Sequence, residues 1–173
     1  MVLTLRIIHI FAAAALVGSV IFNYFFLRPA LTLIPVPHAV VIAQRVGTLF
    51  TYLGWTVLSL LVLSGALRLH YNEDLTQIFT LELYTTSYGR ALGMMIFFWF
   101  LTVVSSAIMT FVLRPKLIQK LSVSANPTLA DVEKRRATQV AASLWVDRLQ
   151  IFIVFTSSMA LIAGASAVHG GLF

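Results

Sequence analysis

Residues 4–27, TLRIIHIFAAAALVGSVIFNYFFL, decide the class of fold. They form one apolar run, longer than the roughly 20 residues that carry a helix across a bilayer. A secretory signal has an apolar core of about 7–15 residues, so the run is too long to be one. With Met1 at its head, it is expected to be retained. Arg6 and His9 interrupt it near its start. A charged or titratable side chain at membrane depth is costly, and by default it points to function.

Three further runs follow, at about 43–69, 89–113 and 143–168. Hydrophobic residues make up 60% of the 173, and charged residues only 10%, where soluble domains carry about 25%. The expectation is an all-α integral membrane four-helix bundle: one transmembrane domain over 1–173, multi-pass, with the lipid bilayer as its solvent. The prolines at 29, 35, 37, 115 and 127 are expected outside the spans, because proline breaks helices. The segment at about 114–142 reads as a loop with a short helical extension of the last span, N-capped at Thr128. With no cysteine, disulfides, thiolate metal sites and covalent c-type heme attachment are excluded.

Lys and Arg fix the expected topology. Arg28, Arg45, Arg114, Lys116, Lys120, Lys134, Arg135, Arg136 and Arg148 fall on one side, and only Arg6, Arg68 and Arg90 on the other. The positive-inside rule puts the larger group in the cytoplasm. Both termini and the acidic loop with Glu73, Asp74 and Glu82 then face outward, to the periplasm of a bacterial-type inner membrane. The net charge of +6 is spread over the ends of the spans, so no nucleic-acid partner is expected.

Polar residues align on the helices. In the second span Arg45, Thr48, Tyr52, Thr56 and Ser59 share a stripe with His70, expected to face the bundle interior. In the first, Arg6, His9 and Asn23 share a sector. In the fourth, Asp147, Ser158 and His169 share a face, and Arg90 and Met94 line up at the outer end of the third. His9, His70 and His169 are thus expected at one end of the bundle. His70 and His169 sit at interface depth and need no partner there, whereas His9 is deeper. Imidazole suits copper, zinc and iron, and the thioethers of Met94 and Met95 suit Cu(I), although membrane methionines more often pack. Gly89 and Gly93 form a GxxxG pair expected to allow close helix approach.

Four stretches resemble the membrane domain of copper-resistance protein D (CopD). IIHIFAAAALVGSVIF is similar to its first helix and QRVGTLFTYLGWTVLSLLVLSGALR to a helix ending in Ser-Gly. TTSYGRALGMMIFFWFLTVV is similar to a helix opening with Tyr-Gly-Arg, and VDRLQIFIVFTSSMALIAG more loosely to the closing one. HemJ-type protoporphyrinogen oxidases look like distant relatives with the same first-helix histidine. Those relatives often carry a lysine where this chain has Met94 and Met95, and the HemJ-type Asn-Glu-x-Pro pattern is absent from the fourth span.

Three readings follow. The CopD resemblance implies copper handling at the outer face, through His9, His70 and His169 with Met94 or Met95. The alternative is a b-type heme protein moving electrons between quinone and an outer acceptor. Its axial ligands would be His9 with His70 or His169, Arg6, Arg68 or Arg90 would pair with the propionates, and the polar stripe around Tyr52 is a possible quinone contact. A periplasmic copper or electron carrier would be its partner. The third is a structural subunit of a larger membrane complex. No catalytic Ser/His/Asp set, phosphate loop or HExxH motif is present, so an enzyme is not expected.

Overall fold

The computed structural model describes residues 2–71, 76–118 and 129–168. Their long elements are α-helices: α1 (Val2–Phe22), α2 (Arg28–Thr32), α3 (Val36–Tyr71), α4 (Ser87–Ala107), α5 (Arg114–Ile118) and α6 (Leu129–Val168). Two π-helical turns, Asn23–Leu27 and Ile108–Leu113, join α1 to α2 and α4 to α5. The result is four apolar spans, Leu3–Thr32, Val41–Tyr71, Ser87–Lys116 and Val140–Val168, each long enough to cross a bilayer. α1 packs along α3 and α6, and α4 packs along α6. The expected extension of the last span is present, since α6 is unbroken from Leu129. Thr128 lies outside the described residues.

Pro29 and Pro115, expected beyond the spans, lie within them. Proline withholds the N–H owed to the carbonyl four residues back, and its ring crowds that carbonyl. The π-turn before each proline accommodates both problems by widening the helix. The N–H of Arg28 bonds the carbonyl of Asn23, and that of Arg114 bonds Met109, each one residue further back than in an α-helix. The two sites are also a sequence repeat, FFLRPAL at 25–31 and FVLRPKL at 111–117. The described residues thus follow the same order twice, a helix with a π-turn and then a long α-helix.

Small and hydroxylated side chains fill the interior. Ala12 and Leu16 of α1 meet Val57, Leu58 and Leu61 of α3, with Trp99 and Val103 of α4 packed against them. Between α4 and α6 the fully buried Thr102 donates to Thr156 at 2.9 Å. Bulky residues such as Phe11, Leu63, Phe111 and Phe155 point outward. Lipid tails are as apolar as leucine, so a membrane bundle gains by close backbone approach and interhelical hydrogen bonds rather than by hiding phenylalanine.

That rule overturns the expected orientation of the second span. Of the stripe, Arg45, Tyr52, Thr56, Ser59 and His70 are exposed, Tyr52 by 71%; Thr48 is half-buried and accepts from Arg114, and the opposite face, carrying Val57, Leu61, Ser64 and Gly65, packs on α1. On that face Ser64 and Gly65 meet the His9 ring, and Val57, Leu58 and Leu61 meet Ala12 and Leu16. Gly89 and Gly93 also serve a different neighbour. A Cβ at Gly89 would lie 2.0 Å from the Leu83 carbonyl oxygen, and one at Gly93 2.8 Å from the Tyr84 ring. They admit the short helical turn Leu83–Thr85 against α4, not another long helix.

Candidate functional site around His9

His9 is half-buried on α1, facing α3. Its Nδ1 lies 2.8 Å from Oγ of Ser64, a residue only 3% exposed. The Ser64 hydroxyl has one proton, and it is directed to the Leu60 carbonyl at 2.6 Å. Ser64 therefore accepts from Nδ1–H. In the tautomer consistent with this network Nε2 carries the lone pair and is the nitrogen able to accept a proton or ligate a metal. Gly65 makes room for the ring, since a Cβ there would sit 3.3 Å from His9 Cε1. Arg68, one turn beyond Ser64, is near enough to act on His9 electrostatically.

The other sequence-derived site residues do not all gather here. His70 lies six residues beyond Ser64, about 9 Å further along the axis and about 120° around it. It is exposed, with its ring beside Tyr71, so it does not face His9. His169, Glu73 and Asp74 lie outside the described residues. Arg6 is exposed at the start of α1. Asn23 is half-buried but fourteen residues from His9, about 21 Å along the span, and so belongs to the other end. Arg90 is exposed and donates to the Thr85 carbonyl and to Ser87 Oγ, at the entry of its own helix. Tyr52 lies on the outward face of α3. Met94 is 47% exposed and faces outward. Met95 faces inward, with its sulfur 3.0 Å from where a Cβ on Gly164 would be. Among the described residues, no group of three or more His, Asp or Glu could enclose a metal ion.

The two-half architecture explains where Met95 sits. The offset that superposes Arg28 on Arg114 in sequence also superposes His9 on Met95. The offset that superposes Gly65 on Gly164 superposes Ser64 on Ala163. Each half thus presents one long side chain against the glycine of its partner helix, a histidine in the first and a thioether in the second. Only the first has a hydroxyl to orient it.

A second polar set occupies the opposite end; the sequence marked Thr48 and Asp147 as members of polar faces but not their partners. Arg28 forms an ion pair with Asp147 of α6 and lies over the Tyr24 ring at 5.9 Å. Arg114 donates to Thr51 at 2.8 Å and to Thr48 at 2.5 Å, both on α3. The repeated Leu-Arg-Pro was the available signal. Ser64 was also missed, because its face of α3 reads as plain Val and Leu. This chain matches no family model, no curated protein and no solved structure in the comparisons made.

Proposed function

We propose that this chain is a membrane metal-handling protein of the CopD-like type, which takes copper at the His9 end of its bundle. The observation that carries the reading is the His9–Ser64 hydrogen bond. It fixes the imidazole on a neighbouring helix and leaves Nε2 as the donor. Metal-ligating histidines are typically held this way through their other nitrogen, and imidazole suits copper. Copper here is cargo. His9 would supply one ligand, and Met95, the corresponding residue of the second half, offers a soft thioether on α4. A periplasmic carrier would exchange the ion at that end, in a bacterial inner membrane with both termini outward.

Of the two partners expected for His9 in the heme reading, His70 faces away, which leaves that reading to His169, outside the described residues. The subunit reading has its own support. Thr56 and Ser59, near the middle of the second span, are exposed and, among the described residues, their hydroxyls have no partner on another helix, which suits a neighbouring membrane protein. A cysteine at position 56 that cross-links to a second polypeptide in native membranes would favour it.

The test of the metal reading is competitive titration of the purified chain with Cu(I) and a coloured chelator. About one copper per chain is expected, lost in His9→Ala and weakened in Ser64→Ala. Undiminished copper binding by His9→Ala, or a strong Soret band in the purified protein, would sink it.

A further inference from the structure

The two Leu-Arg-Pro sites are built alike and compensated differently. In the first half, Arg28 at the end of a π-turn reaches across to the carboxylate of Asp147 on α6. In the second, Arg114 at the end of a π-turn reaches across to α3. The register that places Gly65 on Gly164 places Thr48 on Asp147 and Thr51 on Gln150. Where one half holds a carboxylate, the other holds a threonine.

Among the described residues, that exchange leaves a charge unanswered. Thr48 and Thr51 give their hydroxyl protons to the carbonyls of Gln44 and Gly47, each at 2.8 Å. They turn lone pairs to Arg114, which satisfy two of the five guanidinium N–H groups and carry no negative charge. Among the described residues, no ion pair joins Arg114 to a carboxylate. The guanidinium is half-buried at the end of the third span, where an uncompensated cation is costly. Lys116 is exposed two residues on, and Arg45 is exposed one turn before Thr48. The remaining N–H groups form a planar donor fork, the geometry that matches a phosphate bidentately.

We propose that Arg114, seated on Thr48 and Thr51, is a binding site for a phosphate oxyanion, which takes the place that the Asp147 carboxylate occupies beside Arg28. The phosphodiester of an anionic phospholipid in the adjoining leaflet and free inorganic phosphate offer the same chemistry. The site is independent of the His9 reading, and neither depends on the other.

The full chain is reconstituted in vesicles of brominated phosphatidylglycerol mixed with plain phosphatidylcholine, and quenching of tryptophan fluorescence is followed. Trp55 reports on the site, since its ring lies 5.8 Å from that of Phe111 and its Nε1 donates to Thr110. The wild type is expected to prefer phosphatidylglycerol by about five- to tenfold, the value of one added charge contact near the surface. Arg114→Gln should abolish the preference. Should Arg114→Gln not fold, Thr48→Asp decides, because it supplies the carboxylate that Asp147 offers to Arg28 and should remove the preference while keeping the fold. In a second arm, millimolar inorganic phosphate is added to the chain in phosphatidylcholine vesicles. A rise in thermal midpoint for the wild type but not for Thr48→Asp identifies the same site filled by free phosphate. A wild type with neither response overturns the proposal. So does a preference that survives in Thr48→Asp, or one that the exposed Lys116→Gln abolishes as completely as Arg114→Gln.

Discussion

Ser64→Ala removes a single buried oxygen and, with it, the 2.8 Å hydrogen bond that joins α3 to His9. Alanine keeps nearly the same volume, so little cavity forms. What is lost is one interhelical hydrogen bond, which in membrane bundles averages about 0.6 kcal/mol and reaches about 1.7. What is left is an imidazole with only its backbone hydrogen bond to Leu61, so the cost stays below the about 1–3 kcal/mol of a fully buried, unsatisfied group. His9 is also only half-covered, which acts in the same direction. The expected destabilisation is about 1–2 kcal/mol, a shift of roughly 5–30-fold in the folded ratio. Unfolding of the purified chain in increasing dodecyl sulfate measures it. The wild type, Ser64→Ala, His9→Ala and the double variant complete a cycle that isolates the pair. In nitrogen-15 spectra of labelled histidine, His9 should leave the Nδ1–H tautomer in Ser64→Ala. A coupling below about 0.3 kcal/mol, the ordinary error of additivity, or an unchanged tautomer refutes the assignment of Ser64 as acceptor.

Gly89→Ala places a Cβ 2.0 Å from a backbone oxygen of Leu83, which no rotamer relieves, so a loss of about 1–3 kcal/mol is expected in the same unfolding assay. Gly164→Ala meets only the flexible sulfur of Met95 at 3.0 Å and should cost less than Gly89→Ala. Asp147→Asn breaks the ion pair with Arg28, whose side chains are 38% and 37% exposed. Solvent screening limits the loss to about 1 kcal/mol or less, and it should shrink further in molar salt. Because the chain has no cysteine, Leu81→Cys and Leu33→Cys, at positions 87% and 88% exposed, report sidedness cleanly. A membrane-impermeant maleimide should reach position 81 and not 33 from outside the cell, and the reverse result would move His9 to the cytoplasmic end.

Much of this architecture was legible because its signal is one-dimensional. Four long apolar runs with few charges leave a bilayer little choice but four helices, since each backbone amide must find its partner within its own segment. The unbroken start of α6 could be read from LADVEKRRATQVAASLW in the same way. The prolines misled because a breaker in water is tolerated in a span when a π-turn precedes it. The face of α3 misled for a related reason: polarity was taken to mark the interior, yet close packing against Ala12 and Leu16 selected the face with Ser64 and Gly65.

Sequence alone therefore determined the helical class, the number of spans and the placing of His9 within one of them, because length, hydropathy and an isolated imidazole are properties of single segments. Tertiary structure decided what His9 touches, that His70 turns away from it, and that Arg28 and Arg114 reach across to different helices with different compensation. Each of those depends on the rotation of one helix about its axis relative to another. Rotation is set by the fit of small side chains between two surfaces, which is a relation between segments that neither carries by itself.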